Sequence, residues 1–79
     1  MIKEMVIELI AREMQCSVQD ITLSTELSEI GVDSLKAVVL MSLLEEEFKI
    51  EIPNDALDSI STVGDIVDKV EALCPKNPS

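Results

Sequence analysis

Ile2, Met5, Val6, Leu9 and Ile10 recur at the three- and four-residue spacing of one helical face, with Glu4, Glu8, Arg12 and Glu13 off it. The pattern predicts a helix from about residue 2 to about residue 15, ending near "CSVQD", where Ser17 and Asp20 favour local backbone bonding. Ala37, Leu40, Met41, Leu44 and Phe48 form a second stripe and predict a helix from Ser34 to about Lys49. Asp33 is a suitable N-cap for it, and Gly31 supplies the permissive backbone of a sharp entry. A third stripe, Ile66, Val67, Val70 and Leu73, follows the capping-box pair Thr62 and Asp65.

The segments between these stripes are less regular. Residues 17 to 33 make a long connection, in which Ile21, Leu23, Leu27 and Ile30 are the expected anchors to the core. Pro53 forces an extended residue before it, and "PNDALDSI" has room for one short helical turn capped by Asn54 or Asp55. "KIEI" is the only candidate for a strand and has nothing to pair with. The expected fold is all-α: a small antiparallel helical bundle of three main helices and one short one, with a long loop between helices one and two. Residues 1–74 form the expected domain and "PKNPS", 75–79, a flexible tail.

Composition narrows the chemistry. The chain has 79 residues and no histidine, so Ser-His-Asp and Cys-His nucleophile systems are excluded. Gly31 and Gly64 are the only glycines, too few for a phosphate-cradling loop. Cys16 and Cys74 lack metal-ligand spacing and read as reduced, small apolar side chains. Sixteen acids against six bases give a net charge of −10, which repels nucleic acid and anionic membranes and favours partners with basic patches. No metal is expected: Glu45, Glu46 and Glu47 point in three directions around their helix, and Asp55 and Asp58 lack calcium-loop spacing. "MIKEMVIELI" carries acids among its apolar residues, unlike a secretory leader, and no apolar run approaches the ~20 residues of a membrane span. A cytoplasmic monomer without catalytic activity of its own is expected.

Ser34 opens the most hydrophobic helix, where backbone N–H groups are unpaired and the helix dipole is positive. Leu35, Val39 and Leu43 project 100° to 180° around the wheel from it, at ~100° per residue, and give the helix a second apolar face outside the core stripe. A small monomer has little reason to expose such a face except for docking. The combination favours a serine that receives a phosphodiester, set in a surface that other proteins grip. An ordinary N-terminal serine beside its aspartate cap is the plainer alternative.

"GVDSLKAV", with "LLEEEFKIEIP" and "TVGDIVDKV" downstream, closely resembles the acyl carrier proteins of fatty-acid and polyketide synthesis, over about residues 2 to 73. The resemblance implies that Ser34 carries 4′-phosphopantetheine, delivered from coenzyme A by a separate phosphopantetheinyl transferase. The thiol of that group would hold acyl chains as thioesters and shuttle them between partner enzymes. Asp33 would cap the helix and help position the transferase's metal and coenzyme A. Leu35, with Lys36, Val39, Leu43 and Glu46 along the same helix, would meet acyl-loading ligases, ketosynthases and other acyl-processing enzymes with basic entrances. The bundle interior would open to shelter the growing chain.

The resemblance has one departure: Lys36 and Val39 stand where housekeeping fatty-acid carriers usually have acids. This points to a specialised carrier serving a dedicated synthase or ligase, used poorly by housekeeping enzymes. An aminoacyl or peptidyl carrier is the alternative within the class, although such carriers more often show Gly-Gly-His-Ser or Gly-Gly-Asp-Ser at this place. Outside the class, an unmodified adaptor would have no use for an intact Ser34 between Asp33 and Leu35, and a metal-binding protein lacks ligand spacing.

Overall fold

The computed structural model describes residues 2–74, and the expected tail at 75–79 lies outside them. Three α-helices carry the fold: α1 (Ile2–Met14), α2 (Ser34–Phe48) and α3 (Val63–Leu73). Short 3-10 helices occupy Val18–Asp20, Leu27–Ile30 and Asn54–Ser59. No strand forms among the described residues; an isolated antiparallel bridge joins Glu26 to Thr62. The fold is the helical bundle that the apolar periodicity predicts.

The stripes meet in one core. Val6 and Ile10 of α1, Leu40 and Leu44 of α2, and Val63, Ile66 and Val70 of α3 are its most deeply buried members. Each such aliphatic side chain contributes about 1.5–3 kcal/mol by leaving water. Ala37 and Phe48, at the ends of the α2 stripe, are half-buried against it. Cys16 and Cys74 are free thiols, also half-buried against the core.

Two helices stop without the glycine usual at such places. Gln15 and Lys49 adopt left-handed backbone, at φ 57° and 58°. The next amide in each case reaches back five residues: Cys16 N–H donates to Ala11 O at 3.0 Å, and Ile50 N–H to Glu45 O at 3.2 Å. These bonds fold the chain back onto the last turn of each helix; the Glu45 carbonyl also accepts the Lys49 N–H. Ile50 is buried by the same turn. Ile52 is buried beside it, its N–H held at 2.7 Å by the Glu45 carboxylate. Within "KIEI", Lys49 makes the turn and Ile50 and Ile52 are anchored after it without a strand partner.

The long connection is held partly by side chains and partly by its backbone. Ile21, Leu27 and Val32 are buried and Ile30 half-buried. Leu23 does not anchor as expected: its side chain is exposed, and its carbonyl does the holding by accepting the Gly64 N–H at 2.9 Å. Val63 N–H donates to Thr25 O at 2.9 Å and Leu27 N–H to Ser61 O at 2.9 Å. These three bonds sew the loop to the start of α3. The short helix Asn54–Ser59 also departs from expectation, because its N-cap is Pro53. The preset φ of proline, −60° here, supplies the entry geometry instead.

Candidate functional site

Gly31 turns the chain into α2 at φ 90°, a conformation that would strain any side chain. Asp33 follows as the N-cap, its Oδ1 accepting the Lys36 N–H at 2.8 Å and its carbonyl accepting the Ala37 N–H at 2.8 Å. Ser34 is therefore the first helical residue, and it is exposed. Its own N–H and that of Leu35 have no hydrogen-bond partner among the described residues. The start of α3 is the opposite case. Thr62 and Asp65 close a capping box, and the Val63 and Gly64 amides are taken by the loop carbonyls. Asp65 Oδ2 accepts from the Ser61 N–H at 2.9 Å and the Thr62 N–H at 3.1 Å. Those two backbone bonds, the Ser61 one foremost, hold its carboxyl below the ordinary 3.8. One helix mouth is saturated and the other keeps donors free for an anion beside the Ser34 hydroxyl.

An open groove of about 580 Å³ begins at Ser34. Leu27, Val32, Ala37 and Val38 line it together with Leu57, Asp58 and Ile60 of the short-helix segment. Val38, 49% exposed, is a site residue that the sequence reading missed. It belongs neither to the core stripe nor to the Leu35 ridge, and only the placement of the short helix shows that it faces this groove.

The other expected residues do not form a single patch. Leu35 is 75% exposed and Val39 38% exposed; with Ser42 and Glu46 they follow the helical repeat along the outward ridge. Glu46 is three turns away, about 16 Å from Leu35 along the axis. Lys36 is half-buried on the flank of that ridge, and Leu43 is half-buried against the core. Leu43 and Glu46 line a separate hollow of about 380 Å³ with Leu9, Arg12 and Lys49, at the far end of α2. Asp33 and Ser34 thus share the groove, while Leu35, Lys36, Val39, Leu43 and Glu46 run the length of the helix.

Residues 4–70 match the family described as "Phosphopantetheine attachment site". Over 73 residues, 91% of this chain and 95% of the relative, the sequence is 37% identical to an acyl carrier protein of Clostridium acetobutylicum. The chain belongs to the acyl carrier protein family. The acyl carrier proteins of Sinorhizobium fredii and Rhizobium meliloti are each 53% identical over 45 residues, covering 57% of this carrier and 58% of theirs. The fold is shared with an acyl carrier protein of Thermotoga maritima, at a TM-score of 0.75, 24% identity and coverage of 86% of this carrier and 80% of that one. It is also shared with a "Mupirocin didomain ACP", at a TM-score of 0.80 and 15% identity, across 99% of this carrier and 43% of that chain.

The carrier is accordingly a non-catalytic protein, and the prosthetic group of its family is 4′-phosphopantetheine. That group supplies a terminal thiol on which acyl chains are held as thioesters. The exposed hydroxyl, the two free amides and the groove fit a phosphate ester carrying a long arm. Members of the family interact with phosphopantetheinyl transferases and acyl-processing enzymes. Among the described residues there is no cluster of acids and cysteines able to hold a metal ion, and no helix long and apolar enough to cross a membrane.

Proposed function

We propose that Ser34 is the attachment point of 4′-phosphopantetheine and that the carrier delivers acyl groups between enzymes of fatty-acid, polyketide or related biosynthesis in the cytoplasm. One observation carries this reading: an exposed serine at the only one of the α2 and α3 mouths whose first two helical amides are free. The roles of this chain's residues follow. Ser34 Oγ receives the phosphopantetheine from coenzyme A in a reaction catalysed by a separate transferase. The Ser34 and Leu35 amides face the resulting phosphate, and Asp33 holds the helix start in place through the Lys36 N–H. Leu35 and Val39 give partners an apolar foothold, Lys36 and Leu43 flank it, and Glu46 meets a basic residue near the far end of the helix. Contacts of this kind are brief, because exposed ion pairs are screened and the apolar area is small.

The test is direct. Incubated with coenzyme A, magnesium and a broad-specificity phosphopantetheinyl transferase, the intact protein should gain the mass of one phosphopantetheine, and Ser34→Ala should gain none. A wild-type chain that stays unmodified with every transferase tried would defeat the assignment. An aminoacyl or peptidyl cargo is the second reading, and the mass of the natively isolated protein separates the two. Lys36 and Val39 in turn favour a dedicated partner over the housekeeping enzymes.

A further inference from the structure

The charge along α2 is divided. From position 34 to position 44 the helix has no acid, and Lys36 is its one base, in a chain of net charge −10. Its acids, Glu45, Glu46 and Glu47, gather at the other end. The acid-free turns also hold the most exposed apolar side chains of the helix, Leu35, Val38 and Val39. Lys36 is half-buried, and Val39 stands three residues on, one helical turn away.

A uniformly basic docking surface suits this face poorly. It would set a cation against the Lys36 ammonium and press hydrated charges onto Leu35, Val38 and Val39. Pairing with a second copy would in turn bring two chains of charge −10 together. We propose that the partner of this carrier has a two-part docking site. Near the active-site mouth it is an apolar saddle for Leu35, Val38 and Val39 with a carboxylate in reach of Lys36. About 15 Å farther along, the distance from Lys36 to Glu46 on a helix, it carries Lys or Arg. The proposal rests on Ser34 being the attachment point, since that is what brings this end of α2 to an active-site entrance.

The test uses the full chain, converted to its phosphopantetheine form and verified by intact mass. The probe is a fatty-acid ketosynthase with a basic carrier entrance, together with variants in which each entrance Lys or Arg is singly changed to Glu. Wild-type carrier should show a KM about threefold to fivefold lower on at least one charge-reversed enzyme than on the parent. Lys36→Glu carrier should show the opposite preference on the same pair, and Lys36→Gln should fall between them. Helical circular dichroism confirms that these variants keep the fold. Carriers that respond alike to every reversal would overturn the proposal. So would a wild-type chain that sediments as a dimer and becomes a monomer on Leu35→Asp, which would give the face to a second copy. Absence of the mass gain would strike the attachment reading and the proposal together, whereas mass gain without charge coupling strikes the proposal alone.

Discussion

At Gly64 a missing methyl group lets the long loop close on α3. A Cβ there would stand 2.9 Å from the Leu23 carbonyl oxygen, the same atom that accepts the Gly64 N–H. Alanine favours helix over glycine by about 1 kcal/mol in a helix interior, but this is the first turn and the obstacle is backbone. Gly64→Ala should therefore lower the thermal midpoint, by an overpacking cost of about 1–3 kcal/mol at Tm, measurable by calorimetry. One residue along, Asp65 has its carboxyl pKa depressed in the folded state by the Ser61 and Thr62 amides. A depressed carboxyl adds stability that is present above its unfolded value and is lost as pH falls through the folded one. The gap in thermal midpoint between wild type and Asp65→Asn should be widest at neutral pH and close as pH falls below the ordinary 3.8. A gap that persisted unchanged at pH 2 would mean that the carboxylate charge is not what the box uses. Residues of this kind differ in legibility. Thr62 and Asp65 announce their box by spacing, and Asp33 its cap by type. Nothing local tells that Gly64 is needed, because the atom it makes room for belongs to Leu23, 41 residues earlier in the chain.

At the scale of the element, α2 has two opposed duties. Its inner stripe holds the molecule together and its outer one is the face proposed for partners, so substitutions should separate by face. Leu44, fully buried, should cost about 2–5 kcal/mol as alanine, against a total of about 5–15 kcal/mol for a domain. Leu35, exposed, should cost within about 0.5 kcal/mol and should instead raise the KM of partner enzymes. Urea titrations and steady-state kinetics on the two variants check the split. The helices were legible in the sequence because their stripes repeat at the helical period and all three point to one core. Their ends were less so. Gln15 and Lys49 take the left-handed position usually given to glycine, and the bonds made by Cys16 and Ile50 are what hold them there. Leu23 misled for the related reason that its backbone, not its side chain, makes the attachment. Val38 escaped notice because its groove is completed by residues 57 to 60, which no periodicity ties to α2.

For the whole molecule the dominant fact is charge. A net −10 on so small a body disfavours the compact state through self-repulsion, and dissolved ions relieve it. Raising sodium chloride from low to near-physiological strength should raise the thermal midpoint, and millimolar magnesium should do so modestly. Magnesium and sodium compared at equal ionic strength should differ little, since the described residues form no cluster that would select a divalent ion. A large magnesium-specific rise, saturating at micromolar concentration, would reveal a true cation site and contradict this account.

The groove beside Ser34 has walls of unequal strength. The Leu27 segment of its lining is joined to Ser61 and the start of α3 by the three sewn amides, whereas residues 54 to 59 are held by local turns such as Ala56 N–H to Pro53 O. Such a cleft widens like a door with one jamb fixed. Amide exchange should accordingly be slow at Leu27, Val63 and Gly64 and fast at Ala56 and Ile60. A cargo that needs more room should then swing the Leu57 side outward while the Thr25 side stays still.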